Sequence, residues 1–171
     1  MNATSLPLSD TSINSAQILN LELWKIEINI ANNAFIHGQH MQAFNHYETA
    51  LELAKAGVSE LLNTANATHL LLEAERQIAA LVVTHHNLAD LFRQASQFEN
   101  TVAHLCDAHE TLFQLSHHKQ ADMRELAQRH LKVTYQELIT FTQRYGRHLR
   151  VQQSLMLTQY ICECCREKAG H

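Results

Sequence analysis

Apolar residues recur along the chain at intervals of three or four, which is the period of an amphipathic α-helix. In the first such stretch the apolar positions are Ile18, Leu21, Leu23, Trp24, Ile28, Ala31 and Phe35. Five further stretches repeat the spacing, so the pattern predicts helices at about 13–37, 40–64, 68–95, 98–116, 121–145 and 147–167.

Glycines and one hydrophilic run divide these stretches. Gly38 and Gly146 follow the first and fifth predicted helices, where glycine commonly caps a helix end. Gly57 lies inside the second, which we extend past it at a cost of about 1 kcal/mol because the apolar stripe continues at Leu61. Residues 116–120 form the clearest linker. Long helices joined by such short turns predict antiparallel helical hairpins.

Composition supports this fold class. The chain has 171 residues, 46% of them hydrophobic, with 1 Pro and 4 Gly, where average usage would give about 8 and about 12. A sandwich or barrel needs far more turn residues. We therefore expect an all-α protein with a single domain at 13–167, an N-terminal tail at 1–12 and a C-terminal tail at 168–171.

Charge and targeting signals limit the classes of partner and the cellular locations that the sequence favours. The net charge of −4 and the lack of a basic face argue against nucleic acid. No signal-like N-terminus and no apolar run of about 18 residues occur, which argues against secretion and membrane insertion. The four cysteines do not resemble a secreted disulfide framework, so we expect a cytoplasmic protein.

Residues 31–51 resemble a tetratricopeptide repeat. That family has small residues where its two helices cross, glycine at the turn, and an aromatic followed by Ala-Leu in the second helix. The matching residues here are Ala31, Gly38, Ala43, Tyr47, Ala50 and Leu51.

Two later hairpins resemble the same repeat less closely. Leu88, Ala89, Phe92, Phe98, Leu105 and Ala108 match in the second hairpin, where Ser96 replaces the turn glycine and Thr101 a small residue. Tyr135, Leu138 and Gly146 match in the third, but Val151 and Thr158 do not. The turns are more widely spaced than the usual period of about 34 residues. The chain thus resembles a divergent, elongated member, similar also to an uncharacterised bacterial family sharing a His-Asn-Leu-Ala stretch like residues 86–89.

The resemblance implies a short right-handed superhelix of about six helices that binds a peptide or protein on its concave face. Carried over by position, that face would hold Lys25, Ile28, Asn32, Phe35, Ile36, Val83, His86, Asp90, Arg93, Gln94, Val133, Gln136, Thr140, Gln143 and Arg144. The alternative is a short array closed on itself, with Ile28, Phe35 and Ile36 simply in the core.

Members that bind chaperone C-termini use a clamp of Lys, Asn and Arg residues. Asn32 and Asn87 match its two asparagines, but Ile28, Val133 and Glu137 stand where cations are needed. A carboxylate would have little to hold it, so this subtype is disfavoured.

Cysteines near the C-terminus are the sharpest chemical feature. Cys162, Cys164 and Cys165, with His171, could bind Zn(II) or Cu(I). We favour structural or incidental thiols and expect no cofactor. The metal site, a redox sensor and an intermolecular disulfide are the alternatives. Cys106 lies on an apolar stripe and is predicted to be core.

No catalytic motif stands out, and the 13 histidines are expected at solvent or groove positions. We therefore expect a bacterial, non-catalytic adaptor that binds a protein or peptide. The alternative is a thiol-based metal-binding or redox-responsive protein. Self-association through an exposed helix face, giving a homo-oligomer, is a third possibility.

Overall fold

The structure, a computed structural model, describes residues 10–63 and 71–168, with side chains described at 19–61 and 71–158. Six helices and no strand occur in these ranges. They are α1 (Asp10–Ile36), α2 (His40–Asn63), α3 (Leu71–Gln94), α4 (Phe98–Leu115), α5 (Ala121–Tyr145) and α6 (Leu149–Lys168). The all-α class is confirmed, and within the described ranges the predicted helix bounds agree to within three residues. The predicted start of the third helix at 68, and residues 1–9 and 169–171 of the predicted tails, lie outside the described residues.

The helices stack as hairpins. α1 packs along α2, α2 on α3, α3 on α4 and α4 on α5, while α1 also contacts α3 and α3 contacts α5. The odd-numbered helices therefore lie side by side as one layer. α6 packs more extensively on α4 than on α5. None of the described helices has a stretch apolar enough to cross a bilayer.

Two of the turns use the same left-handed cap. Gly38 has φ +73°, and the N–H groups of Gly38 and Gln39 donate to the carbonyls of Phe35 and Ala34, which is a Schellman motif. Ser96 has φ +57° and its turn repeats both hydrogen bonds. The serine thus takes the conformation expected of the missing turn glycine.

Small residues let α1 and α2 approach closely, as the repeat-like pattern predicts. Ala31, Ala43 and Ala50 are fully buried, and the Tyr47 ring is buried beside them. Leu23, which the apolar stripe includes, is by contrast 41% exposed. It directly precedes Trp24, and the helix rotation of about 100° per residue turns it away from the core.

Gly57 has a packing role within α2. The helix runs through it to Asn63, and a Cβ atom at this position would lie 2.1 Å from Oε1 of Gln77 on α3. The Gln77 side chain is buried and donates from Nε2 to Glu73. The missing side chain therefore makes room for a buried amide between α2 and α3.

Candidate protein-binding face

Side-chain hydrogen bonds centred on Asn32, a residue of the predicted face, tie α1, α2 and α3 together. Oδ1 of Asn32 accepts from the Tyr47 hydroxyl at 2.7 Å and from Nδ2 of Asn87 at 3.1 Å. Burial, and then the charge of Asp90, raise the pKa of Tyr47 to about 12, so the phenol remains a donor. The two asparagines at clamp-like positions thus bond to the fold and to each other.

A charged pair lies on α3 where it meets α5. Nε and Nη2 of Arg93 donate to Oδ1 of Asp90 at 3.2 and 2.9 Å. Hydrogen bonds to Asp90 and to Tyr145 raise the pKa of Arg93. The guanidinium of Arg144 lies 5.5 Å from the Tyr145 ring centre. Arg93 therefore links the two helices through Tyr145.

His86 lies one turn earlier on α3. Burial lowers the pKa of His86, although the nearby carboxylates of Glu137 and Asp90 oppose the shift. Its Nε2 atom is buried and has no hydrogen-bond partner within the described part of the chain. A buried polar atom left unpaired costs free energy.

The structure sorts the residues assigned to the face. Ile28 is 5% exposed, and Phe35 packs against the core beside Tyr47. Ile28 is therefore not available to a partner, whereas Phe35 is half-buried and packs against the core; both placements accord with the core alternative. Ile36 is not core, because it is 79% exposed.

The remaining assigned residues are exposed or half-buried. We call this set the odd-helix face, and it comprises Lys25, Asn32, Ile36, Val83, His86, Asp90, Arg93, Gln94, Val133, Gln136, Thr140, Gln143 and Arg144. Its members come from three helices that are far apart in sequence but adjacent in space.

An apolar cavity of about 250 Å³ lies between the start of α2 and the end of α3. It is lined by His40, Met41, Phe44, Leu91, Phe92, Ala95 and Gln97. Small-molecule sites usually enclose roughly 300–1,000 Å³, so this volume suits a single side chain better. Sequence reasoning missed it, because neither helix alone reveals the gap.

Buried histidines are a second feature that the sequence did not predict. His85 and His109 are almost completely buried, contrary to the expected solvent or groove placement. Nδ1 of His85 lies 3.2 Å from Nδ1 of His104, and Nδ1 of His109 lies 2.8 Å from the Thr134 hydroxyl. Burial is the main cause that lowers the pKa of His85 to about 3 and of His109 to about 4. Both imidazoles are neutral inside the fold.

Of the four cysteines, the structure describes the side chain of one; the side chains of the other three lie outside the described residues. Cys106 is buried, and burial raises the pKa of its thiol, which confirms the core assignment. Cys162, Cys164 and Cys165 lie on α6, but their side chains and the whole of His171 fall outside the described residues. Within the described ranges, no three His, Cys, Asp or Glu side chains come together as metal ligands.

Fold and surface together define a stack of helical hairpins with a mixed polar and apolar face on its odd-numbered helices. Residues 22–169 match the profile of the family described as Protein of unknown function (DUF2753), and the chain belongs to this family. Comparisons with curated proteins and with solved structures gave no match.

Proposed function

We propose that this protein is a non-catalytic adaptor that binds a peptide or protein segment along the odd-helix face. The observation that carries the proposal is the joining of three hairpins into one face with exposed apolar side chains among charged ones. Ile36, Val83 and Val133 are 79%, 42% and 51% exposed. The Asp90–Arg93 pair lies on the same helix as Val83.

This surface suits a segment with a few apolar anchors and a polar remainder. Such segments bind helical proteins as short helices or extended strands whose anchors recur at fixed spacing.

Rigidity of the frame favours binding. The bonds from Asn32 to Tyr47 and Asn87 fix α1, α2 and α3 before a partner arrives. A preorganised surface loses less conformational entropy on association than a flexible one.

The tetratricopeptide-like pattern supports the same role. We propose that the hairpin stack is a divergent tetratricopeptide array with right-handed superhelical curvature, placed in the bacterial cytoplasm. The left-handed caps at Gly38 and Ser96 lie at two of the three turns where that pattern expects glycine.

Peptide selection tests the proposal. A random peptide library is panned on the purified protein, and the affinity of the enriched peptides is measured by titration calorimetry. Val83→Asp and Asp90→Arg should each weaken binding at least tenfold. Glu52→Lys, on the exposed part of α2, is the matched control and should leave affinity unchanged. Failure to enrich any peptide, or equal loss in the control, would contradict the proposal.

A further inference from the structure

Two opposite charges on α5 have no charged partner within the fold. Glu137 adjoins Gln136 of the odd-helix face, Arg144 belongs to that face, and both are exposed. The guanidinium of Arg144 contacts the Tyr145 ring, but neither charge forms an ion pair or a hydrogen bond with the part of the chain that the structure describes. Each is therefore available to a bound partner.

The other charges of the odd-helix face compensate one another. Nζ of Lys25 lies 2.6 Å from the carboxylate of Glu22. The guanidinium of Arg93 lies 2.9 Å from Oδ1 of Asp90. Because these two pairs are complete within the fold, the unpaired charge that the face offers to a partner comes from the two α5 residues.

Contacts with α3 fix the order of these groups along the face. His86 of α3 lies near the Glu137 carboxylate. Two turns further on, Arg93 bonds to Tyr145, the neighbour of Arg144. Because the residue numbers rise together on the two helices, α3 and α5 run in the same direction. The two unpaired charges lie along the line where these helices meet.

An apolar position precedes the two charges. Val83 lies one turn before His86 on α3. Val133 lies one turn before Glu137 on α5, so the two exposed valines are at the same level. With a rise of about 1.5 Å per residue, Glu137 lies about 6 Å beyond Val133, and Arg144 about 10 Å beyond Glu137. The order along α5 is therefore apolar, negative, positive.

We propose that charge order selects the segment that binds the odd-helix face. The apolar anchor of the segment contacts Val83 and Val133. Beyond the anchor, a cationic side chain pairs with Glu137, and about 10 Å further a carboxylate pairs with Arg144. A segment with the reverse order places like charges together at both positions. The inference rests on the proposed function, because it names the chemistry of the segment that binds there.

Exposure limits the strength of these contacts and gives them a role in selection. An exposed ion pair changes a dissociation constant by no more than about fivefold, because water and salt compete with it. Reversing one charge replaces that attraction by repulsion, so we expect a loss of roughly three- to tenfold. Complementary charges of this kind discriminate between partners more than they raise affinity.

Charge reversal on the peptide side is the first half of the test. Peptides enriched from a random library on the wild type should carry at least one basic and one acidic residue. Each basic residue is then changed to glutamate and each acidic residue to lysine, one at a time. Affinity for the wild type, measured by titration calorimetry, should fall roughly three- to tenfold for one change of each kind.

Rescue by the protein variants separates recognition from a structural effect. Glu137→Lys should bind the parent peptide roughly three- to tenfold more weakly than the wild type does. It should bind the peptide with the reversed cation more tightly than the wild type does. Arg144→Glu should show the same pattern with the reversed carboxylate. In about 1 M NaCl, where the Debye length is about 3 Å, these differences should shrink below about twofold.

Glu125→Lys and Lys119→Glu are the matched controls. They make the same changes of net charge at exposed positions. Both lie at the opposite end of α5, about 18 Å or more from the tested charges. Each should leave the affinity for the parent peptide within about twofold of the wild type.

The outcomes distinguish this inference from the proposed function. Enriched peptides without both charges, or a lack of rescue although Val83→Asp still weakens binding, would overturn the charge order and leave the proposed function standing. Losses in the two controls equal to those of the tested variants would also overturn it. Failure to enrich any peptide would overturn the proposed function and this inference with it.

Discussion

Acidification should destabilise this protein because it buries neutral histidines. His85 and His109 have pKa values of about 3 and about 4 in the folded chain, whereas an unfolded histidine titrates near 6.5. Below pH 6.5 these histidines bind protons in the unfolded state but remain neutral in the folded state. Stability is thus complete above about pH 6.5 and falls as the pH drops toward the folded pKa values.

The size of the effect follows from the distance to the unfolded pKa. At pH 5 each histidine is about 1.5 units below 6.5, and each unit is worth about 1.4 kcal/mol, giving about 2 kcal/mol apiece. His85 and His109 together should cost about 4 kcal/mol, a large share of the roughly 5–15 kcal/mol that holds a typical domain folded. Burial also lowers the pKa of His86, His104 and His130, which acts in the same direction.

Urea unfolding at pH 7.5 and pH 5.0 measures this difference. Trp24 is the sole tryptophan, and its indole donates to the Thr84 hydroxyl across α1 and α3, so its fluorescence reports on that packing. His85→Gln and His109→Gln should each remove about 2 kcal/mol of the pH-dependent part. Any constant cost of the substitution appears at both pH values and cancels. The reasoning would be refuted if the wild-type free energy of unfolding differed by less than about 1 kcal/mol between the two pH values. It would also be refuted if the variants showed the same difference as the wild type.

Three further predictions concern the packing and the turns. Gly57→Ala should destabilise by about 1–3 kcal/mol in urea unfolding despite the better helix propensity of alanine, because its Cβ meets Gln77; a stabilised variant would contradict the close approach. Ser96→Gly should stabilise by about 0.5–1 kcal/mol, since the left-handed conformation strains serine, whereas Ala95→Gly next to it should not. Cys106 should react with a thiol reagent only after denaturation, and rapid labelling of this residue in the native protein, read by peptide mass mapping, would argue against its burial.

Helices were predictable here because their signals are local. The apolar period and the scarcity of proline and glycine predicted six helices with bounds close to those observed. Gly38 marked a turn that the structure confirms. Ser96 could be placed at a left-handed turn only by comparison with the first hairpin. These inferences needed no knowledge of how one helix rotates against another.

Cross-helix partners were not predictable from the same signals. Whether His85 meets His104, or Gly57 meets Gln77, depends on the rotation of each helix about its axis, which a shift of one residue changes by about 100°. Leu23 is an example: the apolar pattern of one helix does not show which of its apolar residues face the core and which face solvent. For the same reason Ile28 was assigned to a binding face although it is buried.

Methyl NMR tests the proposed binding face most directly. The chain offers exposed valines on that face, Val83 and Val133, and buried valines as internal controls, Val58, Val102 and Val151. On addition of a selected peptide, the methyl resonances of Val83 and Val133 should shift while the three buried ones stay in place. Shifts confined to methyl groups away from the odd-helix face would contradict the proposal that the protein binds its partner there.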